Sequence, residues 1–139
     1  MTQNTQPAPT FTCTPEIRWS DQDLLGHVNN AKVTTLIEEA RIQWLNRFWG
    51  ERDLRRRPLL VARMEIDYRR PVTYGPQLRI DLSISRVGTS SFTITCRGTQ
   101  DGEVTFEGLN VMVVIDAETG RPSSLTDDER SVLQVTSSE

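Results

Sequence analysis

The sequence predicts an α+β domain in which one long helix lies against a curved antiparallel sheet. Three observations predict it. Val33, Leu36, Ile37, Ala40, Trp44 and Phe48 recur at spacings of three and four, the period of an amphipathic helix. From Leu59 to Ala117 apolar and polar residues alternate instead, the pattern of strands with one buried face. One helix of this length precedes the whole strand region, so the sheet has a single helix to wrap.

In chain order, Met1 to Phe11 is polar, rich in Thr, Gln, Asn and Pro, and is expected to be a flexible tail with no secretory signal. A single domain is expected over residues 12–135. Phe11 to Trp19 reads as a first strand, ending where Trp19-Ser-Asp begins a polar loop. The helix runs from about Asn30 to Trp49, with Asn29 or Asn30 as N-cap and Gly50 as its stop. The basic cluster Arg52 to Arg57 and Pro58 lead into the strands. These are punctuated by Tyr74-Gly-Pro, Val87-Gly-Thr and Asp101-Gly. Val104 and Phe106 share one parity and Leu109, Val111, Val113 and Ile115 the other, which predicts a bulge at Gly108. Met112 and Val114 make the opposite face of that strand apolar too. One face can take the helix, and a second subunit is the candidate cover for the other. Asp116-Ala-Glu-Thr-Gly-Arg-Pro is a turn, and Thr126-Asp-Asp-Glu129 has capping-box spacing for a short final helix.

Bulk properties exclude several classes. The chain has 139 residues, 36% hydrophobic and 25% charged, as in ordinary globular proteins. A net charge of -3 gives no reason to expect a nucleic-acid partner. The longest apolar run, Val111 to Ile115, is too short to span a bilayer, so no membrane partner is expected and the cytoplasm is the expected compartment. Cys13 and Cys96 match no metal or redox spacing; buried free thiols are the expectation, with a disulfide the alternative. No metal and no cofactor is expected.

Chemistry concentrates between Ser20 and Asn30. This loop holds Asp21, Asp23, Gly26, the chain's one histidine His27, and the amides Asn29 and Asn30, directly before the helix. Ester-type hydrolysis needs such parts: a carboxylate to attack an acyl carbon or activate water, and donors aimed at the developing oxyanion. The free N–H groups and dipole of a helix start supply those donors. Singly, each residue also has a structural reading. Asp23 could cap a turn, His27 could hold a hydrogen bond, Asn29 and Asn30 could cap the helix, and Gly26 could serve a tight turn.

The segment Arg18-Trp-Ser-Asp-Gln-Asp-Leu-Leu-Gly-His-Val-Asn-Asn-Ala-Lys32 resembles the signature of the hotdog-fold acyl-CoA thioesterases, in particular the 4-hydroxybenzoyl-CoA thioesterase-like family. Leu36-Ile-Glu-Glu-Ala-Arg41, Arg63 to Val72, Gly75-Pro-Gln-Leu78, Arg86-Val-Gly-Thr-Ser-Ser91 and Asp116 to Pro122 are similar to later parts of that family, in the right order. The resemblance spans roughly Thr12 to Asp128. It implies hydrolysis of an acyl-CoA to acid and coenzyme A. It implies Asp23 as nucleophile or general base, the backbone N–H at Asn30 as oxyanion donor, Gly26 in the close turn, and His27 as an orienting residue. Glu39 is the second candidate carboxylate, with an ion pair to Arg41 or a nearby basic residue as its structural alternative. Val28, Val33, Arg63, Arg86 and Ser90 are candidate substrate contacts, and Val33 stands where the family usually has an aromatic residue. Leu36, Leu60 and Met64 would help shape the acyl pocket. Arg52 to Arg57 could meet the coenzyme A phosphates or form a solvated loop. The resemblance further implies a homodimer or homotetramer with active sites between subunits. A non-catalytic acyl-CoA binding protein of this fold is the alternative of another class. A hotdog hydratase or dehydratase is the rival chemistry, but there the histidine usually follows the Asp by five residues; here His27 follows Asp23 by four.

Overall fold

The computed structural model describes residues 11–49 and 57–135. The tail before Phe11, the expected helix stop at Gly50 and the cluster from Arg52 to Arg56 lie outside the described residues. Strands β1 (Phe11–Cys13), β2 (Leu59–Tyr68), β3 (Arg79–Val87), β4 (Ser91–Gln100) and β5 (Glu103–Val114) form one sheet in the order β1-β3-β4-β5-β2. Every neighbouring pair is antiparallel. Helix α1 (Asn30–Trp44) and a closing helix α2 (Asp127–Val135) complete the fold.

The helical stripe behaves as its spacing requires. Val33, Leu36, Ile37, Ala40 and Trp44 are buried in one core with Ile80, Leu82, Ile84, Phe92, Ile94, Cys96, Met112 and Val114. The α-helix ends at Trp44 and a wider π turn carries the chain through Leu45–Trp49. That turn places Trp49 against the Phe92 ring at 5.5 Å and Phe48 edge-on to Phe11 at 6.1 Å. The long helix over a curved antiparallel sheet is the expected α+β arrangement.

Three expectations need correction. First, β1 stops at Cys13 instead of reaching Trp19. Pro15 has no N–H to give a ladder, and Trp19–Asp21 winds into a 3-10 turn. Second, Gly108 is not the bulge. Pairing runs unbroken through Cys96↔Gly108 and shifts instead between Gly98 and Thr99 of β4, where Thr105 of β5 is the extra residue. Gly108 is small for another reason: a Cβ there would sit 2.1 Å from the Glu65 carbonyl oxygen of β2. Third, Phe106, Asn110, Met112 and Val114 share the buried face, so Phe106 keeps its parity past Gly108. Leu109, Val111 and Val113 line the outer face, half-buried.

Strand β2 is an edge. None of its ten residues is buried, and Leu60, Val61 and Tyr68 are 53%, 43% and 46% exposed. Where β2 begins, α2 is clamped down. Arg57 donates to both carboxylate oxygens of Glu129, at 2.7 and 3.1 Å, and Glu129 is fully buried. The same carboxylate accepts the Thr126 N–H, while the Thr126 hydroxyl accepts the Glu129 N–H, so the capping box is formed. Arg57, the one member of the basic cluster among the described residues, is therefore engaged in holding α2.

Cys13 and Cys96 are free and buried. They lie on β1 and β4 with β3 between them, and their partners on β3 are Ile80 and Leu82. Burial pushes Cys13 up to about 11, helped by Glu39, and Cys96 up to about 12 against the pull of Arg41. Neutral thiols react slowly with disulfide reagents. The native protein should resist thiol labelling at mild alkaline pH, and denaturant should release both thiols. Rapid labelling of the native state would contradict their burial. Because the folded-state values are raised, the unfolded chain ionises first. These thiols therefore erode stability only as pH climbs above their ordinary value of 9.0.

Candidate functional site

The loop before α1 folds back on itself. Gln22 and Val28 form an isolated antiparallel bridge, and the Asp23 N–H donates to the His27 carbonyl at 2.8 Å. Gly26 takes φ +77°, a conformation that a side chain would disfavour, and its N–H donates to the Asp23 carbonyl. The Asp23 carboxylate closes the turn: Oδ1 accepts the N–H of Leu25 at 2.9 Å and of His27 at 3.3 Å. Among the described residues no donor reaches Oδ2, and Asp23 is exposed. The structural and the chemical readings of Asp23 thus fall on different oxygens.

Asn29 resolves the choice of cap. Its side chain accepts the Ala31 N–H at 2.8 Å and its carbonyl takes Lys32 and Val33. Asn30 is the first helical residue, and its own N–H has no acceptor among the described residues. A donor left over at the positive end of a helix is an anion site in waiting. Asp21, by contrast, is buried and structural: its carboxylate accepts the Arg18 N–H at 2.9 Å and its carbonyl takes the Asn29 N–H. His27 is half-buried beside this turn. Val28 and Val33 are both buried, at 3% and 1% exposure, so they belong to the core wall behind the loop.

The remaining predicted residues are dispersed. Glu39 is exposed on the flank of α1 that faces Cys13 of β1, whereas Glu38 pairs with Arg41 at 3.4 Å. The ion pair expected for Glu39 is thus made by Glu38. Arg41 is itself buried and donates to Asn110 of β5 at 3.3 Å. Arg63 is exposed, paired with Glu65, opposite Val111 on the outer face of the sheet. Arg86 and Ser90 sit at the β3–β4 turn. Strand β4 leads from that turn to Gln100 beside the loop, a separation of roughly 30 Å at 3.3 Å per residue. Within one chain, neither Arg86 nor Ser90 joins Asp23.

Two contacts near the loop were not anticipated. The Tyr68 hydroxyl of β2 lies 3.4 Å from the Asn30 carbonyl oxygen. The Val28 N–H donates to the Val72 carbonyl at 2.8 Å, and the Gln100 side chain holds the segment after Val72. Gln100 continues the buried parity of Phe92, Ile94 and Cys96, and a polar side chain on that parity was the available signal. Among the described residues no cluster of side chains suits a metal ion, and no helix is long and apolar enough to cross a membrane.

Comparisons with known proteins place the chain by family and fold. The model of the thioesterase-like superfamily matches residues 17–133. The chain is 35% identical over 118 residues to the uncharacterized protein YsmA of Bacillus subtilis, covering 84% of this chain and 80% of that protein. It is 27% identical over 128 residues to the 1,4-dihydroxy-2-naphthoyl-CoA hydrolase of Synechococcus elongatus, covering 86% and 92%. Among solved structures, a Thermus thermophilus thioesterase complexed with coenzyme A and Zn superposes with a TM-score of 0.83 at 31% identity, covering 93% of this chain and 95% of that one.

Proposed function

Because this chain belongs to the thioesterase-like superfamily, we propose that it hydrolyses acyl-CoA thioesters with Asp23 as the reacting carboxylate and the Asn30 N–H as the oxyanion donor. The observation that carries the proposal is the pairing of an uncommitted Oδ2 with an uncommitted helix-start N–H on one short, internally bonded loop. In the reaction, Asp23 takes a proton from water as the oxygen attacks the thioester carbon. The oxyanion that forms is held by the Asn30 N–H and the helix dipole. The C–S bond then breaks, and the proton on Asp23 passes to the departing coenzyme A thiolate. Asp23 attacking directly would give an acyl anhydride that water then opens; labelled water separates the two routes. The relatives that act on or bind coenzyme A compounds support this substrate class. The Synechococcus relative makes an aromatic acyl group the first to test.

The active unit is proposed to be a dimer joined along β2. An edge strand with apolar side chains and unpaired backbone groups invites a copy of itself. Twofold antiparallel pairing lays the Leu59 end of one β2 beside the Tyr68 end of the other. The partner's β3–β4 turn, which carries Arg86 and Ser90, is then drawn towards the Asp23 loop. Arg63 lies on the strand that would form the seam.

The decisive experiment follows free thiol release from a panel of short, long and aromatic acyl-CoAs. Release that fails with every member of the panel would leave a binding protein of this fold instead. Gel filtration should give twice the chain mass. Val61→Lys on the edge should shift the protein to monomer and reduce thiol release together. A fully active monomer would remove the shared site.

A further inference from the structure

The Asp23 loop is bound tightly to itself and loosely to the rest of the molecule. From Arg18 to Asn29, its backbone hydrogen bonds stay within the segment except where the Asn29 carbonyl starts α1 and in one further place, the 2.8 Å bond from Val28 N–H to the Val72 carbonyl. Val72 is not in a strand. It belongs to the irregular connection between β2 and β3, which has no ladder to fix it. What fixes the residues that follow is one side chain. Gln100, 7% exposed at the end of β4, accepts the Thr73 N–H at 3.0 Å and donates to the carbonyls of Thr73 at 2.9 Å and Pro76 at 3.0 Å. An amide is suited to this because it offers an acceptor and two donors at once.

We propose that Gln100 is a positioning residue: it sets Val72, and through Val72 the alignment of the Asp23 loop and the Asn30 N–H against the sheet. This rests on the hydrolase reading for its catalytic consequence but not for its physical content. The line of contact is short and continuous: Gln100 to Thr73, Thr73 to its neighbour Val72, Val72 to Val28, and Val28 two residues before Asn30. Val72 and Val28 are both 3% exposed, so the bond between them is shielded from water and competes with none. Small errors of alignment between a reacting carboxylate and an oxyanion donor are costly, whereas affinity for the bulk of a substrate depends little on them.

The test uses the full chain with Gln100→Met, which keeps the side-chain volume and removes all three hydrogen bonds. Thiol release should show kcat lowered about 10²-fold, as expected for a displaced reacting group, with KM little changed. The Val28 amide should exchange with solvent faster than in wild type, while the Ile94 amide of the sheet centre does not. Leu133→Ala, at the α2 end of the fold, serves as the comparison: it should lower thermal stability and leave kcat intact. Gln100→Leu removes the same three bonds with a second apolar side chain, and it should show the same loss of kcat and the same faster Val28 exchange. If the Met variant fails to fold, the Leu variant is read by the same criteria. Wild-type kcat in the Met variant, or a lowered kcat with Val28 exchange unchanged, overturns the proposal. If the wild-type protein releases thiol from no acyl-CoA, the hydrolase reading fails. Val28 exchange then decides on Gln100 by itself, acceleration sustaining its positioning role and an unchanged rate ending it.

Discussion

Asp23→Asn should lower kcat for thiol release by ~10²–10⁴-fold, the range lost with a positioned acid–base group, and leave the fold intact. The choice of Asn over Ala matters. Oδ1 of Asp23 accepts the Leu25 and His27 amides, and an Asn carbonyl oxygen can accept both. The substitution therefore spares the turn and removes only the charge and basicity at the second oxygen. Circular dichroism and melting temperature should match wild type, because Asp23 is exposed and its turn survives. Asp23→Ala would lose the turn as well, confusing chemistry with geometry. An Asn variant that turns over at the wild-type rate would remove Asp23 from the reaction.

The second large effect is on stability. Arg57→Ala takes two charge-assisted hydrogen bonds from the fully buried Glu129 carboxylate. Each such bond contributes about 1.5–3 kcal/mol, and a loss of about 3 kcal/mol is expected because Arg57 is itself 30% exposed. For a chain of this size the melting temperature should fall by roughly 6–12 °C. Replacing both partners by apolar residues should recover part of the loss, since no buried charge then remains uncompensated. A single Ala variant melting within about a degree of wild type would show that the Arg57–Glu129 pair does not hold α2.

Much of this was legible in the residues, for identifiable reasons. The stripe from Val33 to Trp44 maps onto the core because a helix with one apolar face has one way to lie on a sheet. The turns at Gly75 and Asp101-Gly102 were visible because positive φ demands such residues, and all three adopt it. The capping box at Thr126 was visible because its two hydrogen bonds are set by spacing alone. What misled was chemistry that depends on a neighbour. Gly108 looked like a bulge, yet its smallness answers to the Glu65 carbonyl on another strand. Glu38 stands three residues before Arg41 and Glu39 two, so helix geometry gives the ion pair to Glu38. At the candidate site, the order Asp23, Gly26, His27, Asn29, Asn30 was readable. That Asp23 could cap its turn was readable too, but that one oxygen would take both amides was not, because that follows from the turn's shape. Gln100 gave one signal, a polar side chain on the buried parity of β4, but not its partners, which lie 24 and 27 positions away in the chain.

The strand order carries a consequence for how the molecule assembles. Strands β3, β4 and β5 are consecutive hairpins, joined by short turns, so their pairing closes small loops quickly. The three residues of β1 can pair only with β3, far along the chain, and they cannot do so before β3 exists. The Asp23 loop follows β1 directly, and its tether to Val72 requires the β2–β3 connection to be in place. The whole segment from β1 to the start of α1 is made before β3 and cannot dock until β3 is made. The part of the chain proposed to do the chemistry is therefore synthesised early and must wait, and a folding intermediate that already has its central hairpins would still be catalytically silent.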